Sequence, residues 1–218
     1  MIITRRTFTV ALSLTGLVAL TGFPSLRLIT EALAQNATDV AKPVSLPDMA
    51  LGPADAKVVI TEYASMTCPH CAAFNAEVFP KIKADYIDTG KVRYIFREFP
   101  LDIKAAAGSM LSRCIAKGDA GKYFAVTDLL FRSQNDWVMK NTTEQLARIG
   151  KQAGMSQDQV ETCLNDRSLL DKIAADQKYA SEVLKVDSTP TFFINGEKIK
   201  GEANIEEFAK KIDPLLKS

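Results

Sequence analysis

An α/β chain is predicted, with the element order β-α-β, a long helical insertion, then β-β-α. Three observations predict it: a β-branched run at 57–64 that leads into a proline-started helix and a second strand, a purely helical pattern from about 101 to 186, and a strand pattern that returns at Thr191. Residues 57–64 (KVVITEYA) have the density of a buried strand. Pro69 stands where a helix should open, the first-turn position that proline tolerates because its missing N–H would be unpaired anyway. Phe74, Val78, Phe79 and Ile82 then recur at helical spacing, and the helix is expected to run to about Tyr86. Gly90 ends it, and residues 92–99 (VRYIFREF) form the second strand. A β-α-β order favours a parallel pair with a right-handed crossover.

Within the insertion, Met110, Leu111, Cys114 and Ile115 make one apolar stripe and Phe124, Leu129, Leu130 and Phe131 another. Further helical segments are expected at about 143–153, 156–165 and 167–184, with turn signals at Gly118-Asp119 and Gly154. Residues 191–194 (TFFI) and 197–200 (EKIK) flank Asn195-Gly196, the dipeptide of a type I′ hairpin. An amphipathic helix over 203–216 closes the chain.

Ahead of these elements lies an address segment. Thr4-Arg5-Arg6-Thr7-Phe8 puts paired arginines before a weakly apolar run from Phe8 to Phe23. That run is short of the roughly 20 residues a membrane-spanning helix needs, and Ala32-Leu33-Ala34 offers the small residues that a signal peptidase reads. The arginine pair resembles a twin-arginine signal, an address rather than an anchor. The alternative is the basic start of a buried first helix. The expected layout is a signal peptide at 1–34, a flexible polar lead-in at 35–47, one folded domain from 48–100 and 187–218, and an inserted helical domain at 101–186. The exported chain would begin at Gln35 and work in an oxidising compartment such as the periplasm.

Composition mostly excludes. Of the 218 residues 47% are apolar and 24% charged, the profile of an ordinary globular protein. Net charge is +1; Arg5, Arg6 and Arg27 against Glu31 give the first 34 residues +2 and leave −1 for the rest, so no nucleic-acid surface is expected. The one histidine rules out a multi-histidine metal site. The four cysteines carry the chemistry.

Cys68-Pro69-His70-Cys71 sets two thiols one turn apart at a helix start, where unpaired N–H groups and the helix dipole favour an anion. Thiol exchange needs a thiolate, and such surroundings lower a thiol pKa by one to several units from about 8.5. His70, if protonated, would add to that effect, while Pro69 leaves one fewer N–H. Stabilising the reduced thiolate by ~4 kcal/mol raises a two-electron potential by roughly 90 mV, which turns such a pair into a disulfide donor. A zinc half-site is the competing reading, but it needs a second pair of soft ligands, and Cys114 and Cys163 are isolated.

Residues 62–71 (EYASMTCPHC) resemble the active-site segment of the DsbA family of periplasmic disulfide oxidoreductases, and 188–196 (STPTFFING) is similar to that family's second signature, the loop carrying a cis-proline. The resemblance covers about 48–216 and implies a thioredoxin fold, a central mixed sheet with a helical insertion between its two halves. It implies Cys68 as exposed nucleophile, Cys71 as buried resolving thiol and Pro190 as the cis-proline. It also implies that Thr189 offers backbone hydrogen bonds to an extended substrate and that Glu62 is a buried proton acceptor for Cys71. Thr67 departs from members that carry an aromatic residue before the first cysteine.

The activity so implied is oxidation of cysteine pairs in folding exported proteins by a monomer without a small-molecule cofactor, reoxidised by a quinone-linked membrane protein of the DsbB type. The short segment before the first strand leaves no room for the dimerisation domain of disulfide isomerases, which favours an oxidase. An isomerase, a dedicated reductase and a non-catalytic binding or chaperone module with a structural Cys68–Cys71 bridge are the alternatives. Cys114 and Cys163 are either buried, inert thiols or a structural disulfide pinning the insertion, and the even cysteine count of an exported chain favours the bridge.

Overall fold

Alternation along the strands decides how the layers stack. In the computed structural model, which describes residues 37–42, 44–201 and 204–217, β1 (Met49–Leu51), β2 (Val58–Ala64), β3 (Val92–Glu98), β4 (Thr191–Ile194) and β5 (Glu197–Lys200) form one mixed sheet in the order β1-β3-β2-β4-β5. The address segment 1–34 lies outside the described residues. β2 and β3 pair in parallel, with Ile60 opposite Tyr94 and Glu62 opposite Phe96. β4 runs antiparallel to β2, β5 to β4, and β1 to the outer side of β3.

One face of the sheet presents Val58, Ile60, Val92, Tyr94, Phe192 and Ile194. It packs on α2 (Pro69–Glu77), α3 (Phe79–Ile82), a π-helical turn at Lys83–Ile87 and α10 (Ile205–Lys217), with Phe74, Ile82, Phe208 and Ile212 filling the layer. The other face presents Tyr63 and Phe193 to Ala180 of α9 (Arg167–Glu182), with Leu184, Val186 and Val40 completing a smaller cluster. The insertion comprises α4 (Ile103–Ala116), α5 (Ala120–Arg132), α6 (Gln134–Met139), α7 (Thr142–Gln152), α8 (Gln157–Leu164) and the start of α9. Its core of Leu111, Tyr123, Leu130, Trp137, Ile149 and Val160 is continuous with Met66, Cys68, Cys71 and Phe96. The cysteine pair thus sits on the seam between insertion and sheet. Cys114 of α4 and Cys163 of α8 are bridged, with an S–S distance of 2.10 Å.

Four details depart from the sequence reading. The helix expected to run from Pro69 to Tyr86 breaks at Val78, because Pro80 has no N–H to continue the ladder and α3 restarts with it in its first turn. The lead-in is not loose where it is described: residues 37–41 are helical (α1), Val40 is buried, and the Ser45 and Leu46 N–H groups donate to the Asp176 carboxylate at 2.6 and 3.2 Å. The edge strand β1 and the short helix α6 add elements the patterns did not mark. The hairpin turn has φ of 46° at Asn195 and 88° at Gly196, the left-handed pair a type I′ turn requires. A Cβ at Gly196 would also come within 2.5 Å of the Ala37 nitrogen, so glycine serves both the turn and the docking of α1. Among the described residues no helix is long and apolar enough to cross a membrane.

Candidate active site

β2 ends at Ala64, and a three-residue turn delivers Cys68 to the start of α2. Cys68 is the N-cap, with extended backbone (φ −79°, ψ 120°), and Pro69 takes the first helical position. No capping side chain takes the first-turn N–H groups of α2, and those of His70 and Cys71 act on the Cys68 sulfur to lower its pKa. The turn is fastened on three sides. Thr67 Oγ1 donates to Asp102 Oδ2 at 2.7 Å. Gln134 Nε2 donates to the Met66 and Cys68 carbonyls at 2.9 and 3.0 Å, tying α6 to the loop. Met66 is fully buried, and Gly108 lies so close beneath it and Trp137 that an added Cβ would meet both at 3.2–3.3 Å.

Both thiols of the pair are free and buried, so Cys68, at 5% exposure, is not the exposed nucleophile that the resemblance implied, and the two lie in unequal surroundings. A hydrogen bond from the Cys71 thiol lowers the Cys68 pKa to about 5 against the opposing effect of burial, helped by the Thr189 side chain and the backbone N–H groups of Cys71 and His70. In its thiol form Cys68 can donate to the Thr189 carbonyl, 3.2 Å away. Burial pushes Cys71 up strongly, and its hydrogen bond to Cys68 and the nearby Glu62 push the same way. Pro69 and His70 are exposed, so the histidine serves the thiolate through its backbone N–H. The Thr189–Pro190 peptide is cis and sets the Thr189 carbonyl against Cys68.

Glu62 lies below the pair, 3% exposed. Burial raises its pKa to about 8, opposed by a hydrogen bond from Tyr94, whose hydroxyl donates to Oε2 at 2.5 Å. Oε1 is buried with no hydrogen-bond partner among the described residues. A second buried acid, Glu98, is fully neutralised by bidentate pairing with Arg113 (2.6 and 2.8 Å) and by Tyr123 at 2.6 Å. Arg97 is held likewise by Asp48, Tyr63 and the Val40 carbonyl. Those two clusters hold the fold, whereas Glu62 has no cationic partner among the described residues.

The structure therefore gathers Cys68, Cys71, Glu62, Thr189 and Pro190 into one site, with Pro69 and His70 on its outer rim. The Cys114–Cys163 bridge lies apart, on α4 and α8. Tyr94 and Gln134 belong to the site although no motif marked them, and Met66, which lies within the 62–71 segment, was given no role; the sequence signal for Tyr94 is a polar-tipped aromatic inside an apolar strand. Among the described residues no three His, Cys, Asp or Glu side chains come together as metal ligands. One thiol poised as an anion, a second that keeps its proton and a buried acid beside them make a centre for thiol–disulfide exchange.

The thioredoxin family model matches residues 45–214. A Rickettsia bellii relative whose name describes a protein-disulfide oxidoreductase is 34% identical over 177 residues, covering 76% of this chain and 68% of its own. Disulfide bond formation protein D of Bacillus subtilis is 27% identical over 172 residues, covering 77% of this chain and 76% of its own. The chain spans 60–68% of the length of the Rickettsia relatives it matches. The crystal structure of Wolbachia pipientis alpha-DsbA1 superposes with a TM-score of 0.76 at 37% identity, over 83% of this chain and 96% of that one. The chain belongs to the thioredoxin family, among its DsbA-like protein-disulfide oxidoreductases.

Proposed function

We propose that the chain is an oxidase: it is exported to the periplasm, by the twin-arginine-like signal at 1–34, and donates its Cys68–Cys71 disulfide to cysteine pairs of folding exported proteins. The observation that carries this reading is the asymmetry of the pair, Cys68 lowered to about 5 while Cys71 is pushed up. A stabilised thiolate favours the reduced protein, and a protein that prefers to be reduced oxidises its partners.

In the forward reaction a substrate thiolate attacks Cys68 Sγ, the less buried end of the bridge. The Cys68–Cys71 bond breaks, its electron pair goes to Cys71 Sγ, and that sulfur takes a proton from Glu62, the neighbouring buried acid. The substrate's second thiolate then attacks its own sulfur in the mixed disulfide and releases Cys68 as a thiolate. Two electrons pass from the substrate dithiol to the pair. One substrate proton is accounted for on Cys71 after Glu62 recovers its own, and the other is released to solvent, because Cys68 stays ionised at neutral pH. Thr189, through the backbone ahead of cis-Pro190, holds the extended substrate across Cys68. A monomer reoxidised by a quinone-linked membrane partner of the DsbB type completes the cycle.

The test is oxidative refolding of a reduced, unfolded two-cysteine substrate by stoichiometric oxidised protein. Faster disulfide formation than with glutathione disulfide alone, lost in Cys68→Ser, is the expected result. No acceleration together with recovery of activity from a scrambled substrate would replace the oxidase by an isomerase.

A further inference from the structure

Tyr94 reaches Glu62 from the neighbouring strand. Because Ile60 stands opposite Tyr94 in the parallel register, Tyr94 lies one side-chain repeat before the partner of Glu62 and on the same sheet face. Its ring is fully buried and flanked by Phe79 and Phe124, with centroids 5.0 and 6.1 Å away, so the hydroxyl has little freedom. That hydroxyl donates to Glu62 Oε2 at 2.5 Å, while Oε1 has no hydrogen-bond partner among the described residues. An oxygen that already accepts a strong hydrogen bond is the poorer place for a proton. The carboxyl proton is therefore directed to Oε1.

We propose that Tyr94 is the positioning residue of the exchange reaction, fixing the transferable proton on the unpartnered oxygen of Glu62. The proposal rests on the reading of Glu62 as the acid that serves Cys71. When a mixed disulfide is resolved by Cys71, the proton on Cys71 Sγ passes to Glu62 Oε1. The resulting thiolate forms the bond to Cys68 Sγ, and the Cys68–substrate S–S bond breaks to release the substrate thiolate. The reverse step returns the proton from Oε1 to Cys71. In both directions Tyr94 keeps its own proton, consistent with a hydroxyl whose pKa burial and the adjacent Glu62 raise well above its usual value. Its hydrogen bond also draws the Glu62 pKa down against burial. Tyr94 thus keeps a fully buried acid within reach of ionisation near neutral pH.

A packing aromatic and a positioning residue respond differently to loss of the hydroxyl. The experiment follows the titration of an isotope-labelled Glu62 carboxyl and the pH–rate profile of Cys68–Cys71 reduction by dithiothreitol, in wild type, Tyr94→Phe, Glu62→Gln and the double variant. Tyr94→Phe is expected to move the Glu62 midpoint upward from about 8 by about one unit, a tenfold change in ionisation. The rate inflection should move with it, while the Cys68 thiolate midpoint stays at about 5. In the Glu62→Gln background the same substitution should leave the profile unchanged. A ring-fluorinated tyrosine placed at position 94 keeps the shape and strengthens the donor, so it should shift the Glu62 midpoint the other way; it serves equally if Tyr94→Phe folds poorly. An unmoved midpoint, or a Tyr94→Phe effect that persists without Glu62, would overturn the proposal. A Glu62→Gln profile identical to wild type would overturn the role of Glu62 itself, and with it that of Tyr94. Dithiothreitol reads exchange whether the pair is oxidising or reducing, so a failed oxidase reading would show only in the potential.

Discussion

Replacing Cys68 by serine separates the thiolate from everything else in the site. Serine keeps the size and does not ionise, so the stability gap between reduced wild type and reduced Cys68→Ser should follow the Cys68 titration. The folded pKa of about 5 lies below the 9.0 of an unperturbed thiol. A depressed pKa contributes stability that is complete above the unfolded value, near pH 9, and is lost as pH falls through about 5. At pH 7 the window from 5 to 7 is worth at most about 2.7 kcal/mol, from 1.36 kcal/mol per unit. The site is only partly shielded, so screening takes up part of this, and about 1–2 kcal/mol is the expected gap. The same energy on the reduced form raises the potential by roughly 20–45 mV. Urea unfolding of both proteins under reducing conditions at about pH 4.5, 7 and 8.5, with the ultraviolet absorbance of the thiolate followed in parallel, measures it. A gap that is constant across this range would refute the reasoning, since only an ionising group on Cys68 makes it grow with pH.

Glu62 titrates with the opposite sign. Its folded pKa of about 8 lies above the usual 4.5, so its contribution is intact below about pH 4.5 and lost as pH rises through 8. Oxidised Glu62→Gln should therefore match wild type at about pH 4 and exceed it by about 2–3 kcal/mol at pH 7, read from denaturant midpoints. Replacing Cys114 and Cys163 by alanine opens a bridge of sequence separation 49. By the chain-entropy model that costs about 4 kcal/mol, and calorimetry should show the loss with the Cys68 titration unmoved. Arg113→Met strands Glu98 beneath α4, where the pair is 8% and 5% exposed. Removing one partner of such a pair costs about 3–5 kcal/mol, and urea unfolding should show a drop of that size.

Local chemistry was legible in the sequence, as were the parallel β2–β3 pair and the Cys114–Cys163 bridge, but the side-chain contacts across the site were not. Asn195-Gly196 fixes its turn through φ preferences of its own two residues, and Cys68-Pro69-His70-Cys71 fixes its helix start in the same way. The break at Val78 was also local, since Pro80 cannot donate to the preceding turn, but the apolar spacing of Phe74, Val78, Phe79 and Ile82 runs through it unchanged. β1 has only three residues, too few for a period, and exists through its antiparallel pairing with β3. α6 is one short stretch anchored by Trp137, which donates to the Leu130 carbonyl at 2.8 Å. In the site, the cysteines and cis-Pro190 lie in recognisable motifs, whereas the Tyr94–Glu62 and Gln134–Cys68 contacts span 32 and 66 residues. Which aromatic on β3 meets Glu62 depends on the parallel register, and no local feature of 92–98 sets that register.

The most direct test of the account is the reduction potential of the Cys68–Cys71 pair, measured by glutathione equilibration at pH 7 with the Cys114–Cys163 bridge monitored separately. A pair whose reduced form is stabilised by the Cys68 thiolate should equilibrate clearly above the roughly −270 mV of thioredoxin, towards the disulfide-donating side of the glutathione couple. A value near the roughly −270 mV of thioredoxin would contradict it, leaving the fold and site in place but making the protein a reductant.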